Sequence, residues 1–134
     1  MNSIDQIRQQ LDRFTAAHPE IGCAYLFGSA TGDRFTATSD IDLGLAASQP
    51  LSPDEKMRLR MELEDTFQRD IDLIDLQQAT GSILRMALHG ICILCRNTTV
   101  RYQLMRRLIY DQEDMQPLRN RMMQQRRLRF AYGH

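Results

Sequence analysis

Asp40 and Asp42, two residues apart in an otherwise apolar run that reaches Leu45, are the side chains best placed for chemistry in this 134-residue chain. In a β-strand, residues two apart point to the same face, so the two carboxylates would stand a few ångströms from each other and repel. A hard divalent cation such as Mg²⁺ turns that repulsion into binding, because it takes oxygen ligands and is commonly held by one or two carboxylates plus substrate phosphates. Upstream of Asp40 by ten intervening residues, Gly28-Ser29 closes a second apolar run, Cys23 to Phe27. A glycine at a strand's end lets a phosphate approach the backbone, a serine adds a hydroxyl donor, and the N–H groups there make an anion site. Phosphate binding beside a metal pair is the equipment of phosphoryl or nucleotidyl transfer from a nucleoside triphosphate, where positioning and charge neutralisation supply most of the catalysis. A third carboxylate comes from Asp70-Ile71-Asp72-Leu73-Ile74-Asp75-Leu76. Asp70 and Asp72 share a face, and Asp75 lies on the other unless the strand has ended. Asp72, between Ile71 and Leu73, sits deepest in the run. Asp70 and Asp75 are expected to be solvated or to cap.

The rest of the chain supplies elements to hold these groups. Ile4, Ile7, Leu11 and Phe14 recur at helical spacing, Asn2 or Ser3 can cap that helix, and His18-Pro19 ends it. A strand runs to Phe27. After the phosphate loop, in which Thr31-Gly32-Asp33-Arg34 reads as a short helical turn, a second strand spans about Asp40 to Ala46. Ser52-Pro53-Asp54-Glu55 is a strong helix start, with serine as cap, proline first and acids in the first turn. That helix carries Met57, Met61, Leu63 and Phe67 to about Arg69. A strand over about Asp70 to Asp75, a short helix from Thr80 to His89 closed by Gly90, and a strand from Ile91 to Cys95 follow. From Thr98 the pattern is helical, with Tyr102, Met105, Leu108 and Ile109 apolar and a break at Pro117.

Length predicts one domain with a real core. With charged residues at 25% and plentiful aliphatics, disorder is not expected. No apolar run approaches the roughly 20 residues of a membrane span and the amino terminus does not read as a signal peptide, so a cytoplasmic protein without membrane contact is expected. Cys23, Cys92 and Cys95 all lie in apolar runs, and Cys92-x-x-Cys95 would point to opposite faces of a strand, so buried structural thiols are expected. A formal charge of zero hides an asymmetry: residues 1–99 carry 9 Lys and Arg against 14 Asp and Glu (−5), and residues 100–134 carry 8 against 3 (+5). The division expected is a catalytic core over 1–97 and a basic helical C-terminal arm over 98–134 within the same domain. The arm's apolar residues favour partner contact over direct nucleic-acid binding.

Gly28-Ser29, ten residues and Asp40-x-Asp42, each on a strand-like run, resemble the signature of the nucleotidyltransferase superfamily with the DNA polymerase β type fold. The segment Asp70–Leu76 is similar to one in the minimal nucleotidyltransferases, or MNT proteins, that are paired with HEPN toxins. The resemblance covers roughly residues 21–95. Ala30-Thr31-Gly32-Asp33-Arg34 departs from it by setting the glycine one place earlier, with an acid in its usual slot and Arg34 as a replacement positive charge. The fold it implies is α/β (α+β), a small mixed sheet of about four strands with helices mainly on one face and a helical C-terminal arm. It implies ATP contacts at Gly28, Ser29, Ser39, Asp40 and Asp42, and catalytic metal ligands at Asp40, Asp42 and Asp72 holding two Mg²⁺ ions. The activity implied is transfer of AMP from ATP to a tyrosine of a cognate HEPN RNase toxin, making this chain the antitoxin of a type VII-like pair in a hetero-oligomer. Two other readings stand beside it: a module of the same fold that neutralises the toxin by binding alone, and a stand-alone transferase acting on a small molecule.

Overall fold

The computed structural model describes residues 4–28 and 40–114. Over these residues the chain runs α1 (Ile4–Ala16), β1 (Ile21–Phe27), β2 (Ile41–Ala47), α2 (Pro53–Phe67), β3 (Ile71–Asp75), α3 (Gly81–Leu88), β4 (Ile91–Cys95) and α4 (Thr98–Asp114). The four strands form one mixed sheet in the order β3-β2-β1-β4. β1 pairs antiparallel with both β2 and β4, and β2 pairs parallel with β3. A parallel pair needs a crossover, and α2 provides it. The cap candidates Asn2 and Ser3, the turn at 31–34 and the segment from Pro117 onward lie outside the described residues.

Alternation along the strands divides the core in two. Ala24 and Leu26 of β1, Leu43 and Leu45 of β2 and Ile71 and Leu73 of β3 share one apolar cluster with Ile7, Leu11 and Phe14 of α1 and Leu59, Leu63 and Phe67 of α2. Tyr25 and Phe27 of β1 and Ala46 of β2 join the other cluster, with Leu84, Ala87 and Leu88 of α3 and Val100, Leu104 and Leu108 of α4. The helices thus cover both faces, two to each, where the sequence placed them mainly on one. This explains why every position of the central β1 is buried.

The helix ends carry their own reasons. The Ser52 hydroxyl accepts from the Glu55 N–H at 3.2 Å while the Glu55 carboxylate accepts from the Ser52 N–H at 3.1 Å, a complete capping box that starts α2 where the sequence reads a cap. The carboxamide oxygen of Asn97 accepts from the N–H groups of Thr99 and Val100 and starts α4. Arg96, directly after β4, closes the end of α1, donating to the carbonyls of Thr15 at 2.9 Å and of His18 and Ile21. A guanidinium there fills the acceptors that the end of a helix leaves over.

Two apolar sets face differently from expectation. In α2 the buried residues are Leu59, Leu63 and Phe67, four apart, and Met57 and Met61 stand in solvent. In α4, Leu108 is buried with Val100 and Leu104, whereas Tyr102, Met105 and Ile109 are 66%, 40% and 54% exposed. The cysteines also differ among themselves, with Cys23 buried, Cys92 half-buried and Cys95 exposed. Burial pushes the Cys23 thiol up to about 12, so it is an inert core group. No helix among the described residues is long and apolar enough to cross a membrane.

Candidate active site

The site is built by strand register. Antiparallel pairing sets Phe27, the last residue of β1, against Asp42 near the start of β2. Parallel pairing sets Asp42 against Asp72. Gly28, Asp42 and Asp72 therefore follow one another across three adjacent strands at one end of the sheet, in the strand order β1, β2, β3. All three line a cavity of about 470 Å³, together with Phe27, Lys56, Ile74, Asp75, Gln78, Ala79, Ile83 and Met86.

Gly28 takes φ +72°, in the left-handed region that a side chain strongly disfavours. A Cβ at this position would also lie 2.0 Å from Oδ2 of Asp42. Glycine here is a requirement of the carboxylate next to it as much as of any ligand. Gly44, on the same face of β2, is likewise fixed by packing, since a Cβ there would meet Cδ2 of Leu76 at 2.8 Å.

The electrostatics are those of crowded carboxylates. Burial, then the charge of Asp72, a hydrogen bond with it, and the charge of Asp40 push the Asp42 carboxyl up from 3.8 to about 6. Asp40 lies just ahead of β2 and is exposed, and it acts on the pair through its charge. Among the described residues no three His, Cys, Asp or Glu side chains converge as a metal-ligating cluster. The pair nevertheless fits Mg²⁺: its donors are hard oxygens, the two carboxylates crowd each other, and this ion normally keeps several waters and takes the remainder of its shell from substrate phosphates.

Neither neighbouring aspartate belongs to the pair. Asp70 is exposed ahead of β3, and its carbonyl accepts from the Ile41 N–H. Asp75 is buried rather than solvated: its carboxylate accepts from the N–H of Leu51 at 2.8 Å and of Gln77 at 3.0 Å. It fastens the loop before α2 to the end of β3. Ser29 and Ser39 lie outside the described residues. Sequence reasoning passed over Lys56 and the wall made by Ile74, Ile83 and Met86. Only Ile74 carried a local signal, two places beyond Asp72 and so on its face.

A stability prediction follows from Asp42. Its folded carboxyl holds the proton more tightly than the unfolded chain does. In the absence of divalent cations its contribution to stability is therefore complete below 3.8 and is lost as the pH rises through about 6. With the group's contact with water allowed for, the effect is worth about 1–2 kcal/mol. Urea unfolding in a chelator should give a midpoint that falls between about pH 4 and pH 7 for the wild type and stays more nearly level for Asp42→Asn. Parallel curves for the two proteins would remove the carboxylate crowding from the account.

A family model described as polymerase beta, nucleotidyltransferase, matches residues 9–99. No curated protein matches the chain. Among solved structures, a toxin–antitoxin with AMP-PNP superposes with a TM-score of 0.69 at 19% identity, over 87% of this chain and 98% of that one. A tri-AMPylated HEPN toxin from Shewanella oneidensis in complex with its MNT antitoxin gives a TM-score of 0.71 at 18% identity, over 91% and 97%. The toxin–antitoxin MntA-HepT gives 0.68 at 18% identity, over 88% and 94%. At these identities the likeness is one of fold.

Proposed function

The chain belongs to the polymerase beta nucleotidyltransferase family, and from that premise we propose that it is an antitoxin that moves AMP from ATP to a tyrosine hydroxyl of a HEPN-type toxin. The observation that carries the reading is the register that sets Asp42 beside Asp72, with Gly28 next to them. The similar fold of chains from toxin–antitoxin complexes, one with AMP-PNP and one with an AMPylated toxin, supports the donor and the acceptor.

In this reading Asp42 and Asp72, with Asp40 as the third carboxylate of the sequence signature, would hold Mg²⁺, and Gly28, which has no side chain, would let the phosphates approach. Ser29 and Ser39 add hydroxyl donors to the triphosphate, as the sequence signature implies. Mg²⁺, when bound, neutralises the charge that would otherwise keep phosphates from three aspartates. Asp72 accepts the proton of the attacking hydroxyl as its oxygen bonds to the α-phosphorus; the bond from that phosphorus to the bridging oxygen breaks, and pyrophosphate leaves. The toxin tyrosine ends as a phosphodiester of AMP. Labelled ATP, Mg²⁺ and the product of the neighbouring gene, incubated with this chain, test the reading: label on a tyrosine of that product is expected. A stable complex that takes up no label would instead leave a module that neutralises by binding.

Docking falls to the arm. We assign 1–97 to the catalytic core and 98–134 to partner contact, with the inner face of α4, through Val100, Leu104 and Leu108, belonging to the core's packing. Tyr102, Met105 and Ile109 lie three and four apart, so they form one stripe on the opposite, exposed side of α4. A helical toxin laid against that stripe buries it helix on helix. Replacing all three by serine should weaken co-purification with the toxin by at least about tenfold in affinity, since each exposed apolar side chain covered is worth on the order of 1 kcal/mol. Affinity for a non-hydrolysable ATP analogue should not change. Undiminished co-purification would move the interface elsewhere.

A further inference from the structure

The cavity beside the aspartates is asymmetric, and this asymmetry bears on what attacks the nucleotide. Across the sheet the order is Gly28 directly after β1, Asp42 on β2 and Asp72 on β3. In an in-line displacement at phosphorus the entering and leaving oxygens stand on opposite sides. With the leaving phosphates at Gly28, the attacking hydroxyl must come from the side of Asp72. Beyond Asp72 the cavity is walled by Ile74, on the same face of β3, and by Ile83 and Met86, three apart on α3 and hence on one side of it, with Ala79 between the two elements. Among the described residues, Asp75 and Gln78 also line the cavity and are engaged elsewhere: the Asp75 carboxylate accepts from the N–H groups of Leu51 and Gln77, and the Gln78 side-chain amide donates to the Leu51 carbonyl.

We infer that this half of the cavity is the acceptor seat, and that Ile74, Ile83 and Met86 select a hydroxyl carried on a flat apolar ring. A phenol meets both requirements: its ring lies on the aliphatic wall and against the Met86 thioether, while its oxygen projects towards Asp72. A sugar or a serine side chain would leave the same wall uncovered. The inference rests on the reading of the chain as a transferase to tyrosine and adds the residues that choose the acceptor. Met86 is 51% exposed, so it can be changed without disturbing the core.

Two measurements test it, the first of them independently of turnover. In the first, the methyl resonances of Ile83 and Met86 are followed by NMR in the intact chain, with N-acetyl-tyrosinamide and a non-hydrolysable ATP analogue added separately in the presence of Mg²⁺. Shifts on adding the tyrosine compound are expected. Shifts confined to the nucleotide would make the wall a nucleobase seat, and no shift with either would leave it without a ligand; both overturn the inference. The second uses Met86→Glu and Ile83→Ala with the toxin as acceptor. KM for the acceptor should rise by about tenfold with KM for ATP unchanged. The reverse pattern overturns the seat. Failure of the wild type to label the toxin, with the tyrosine-dependent shifts intact, would count against the transferase reading and not against the seat.

Discussion

Asp42→Asn should lower nucleotidyl transfer by about a thousandfold or more and leave the fold intact. Asp42 is the central member of the row: it is in register with Phe27 on one side and Asp72 on the other, so any cation shared between phosphates and carboxylates meets it first. Losing one charged oxygen ligand removes several kcal/mol of charge stabilisation where the α-phosphorus reacts, which is the size of a thousandfold effect. The same change relieves the crowding that raises this carboxyl, so the cation-free variant should melt no lower than the wild type at neutral pH. Transfer and thermal unfolding must be measured together, because a loss of both would speak only of misfolding. Transfer within tenfold of the wild type, on a folded protein, would sink the assignment.

Most strands were legible because their signals are local. β4 runs from Ile91 to Cys95 as the apolar run and the preceding Gly90 imply, and α2 begins at its capping box. Asp42 and Asp72 were legible because charge is costly in an apolar strand, which makes each an anomaly. What the sequence withheld was the pairing between distant segments. Helical periodicity shows which side of a helix is buried but not which face of the sheet it covers, so α3 and α4 could not be placed opposite α1 and α2. Met57 and Met61 misled because α2 carries more apolar residues than one face holds, and Leu59, Leu63 and Phe67 took the core. Asp75 reads in sequence as a polar strand end; its burial depends on the N–H of Leu51, which lies 24 residues away. Lys56, Ile83 and Met86 meet the aspartates only through folding, and no local spacing announces them.

Gly28→Ala should reduce affinity for a non-hydrolysable ATP analogue by about a hundredfold or more. Two costs act together. An L-residue at φ +72° is strained by about 1–2 kcal/mol, and its Cβ would sit 2.0 Å from Oδ2 and 3.0 Å from Cγ of Asp42. The carboxylate must move, and with it goes the pairing to Asp72, so the methyl group damages the cation site as well as the approach of the phosphate. Ser29→Ala should cost far less, since one neutral hydrogen bond is worth about 1 kcal/mol net, or roughly fivefold in affinity. Gly28→Asn separates the two causes, because asparagine tolerates positive φ better than alanine while still bringing a Cβ. Equal losses in the alanine and asparagine variants, measured by calorimetry on proteins that melt like the wild type, would assign the effect to the collision with Asp42. Recovery in the asparagine variant would assign it to the backbone angle, and full affinity in both would show that the phosphates bind away from Gly28.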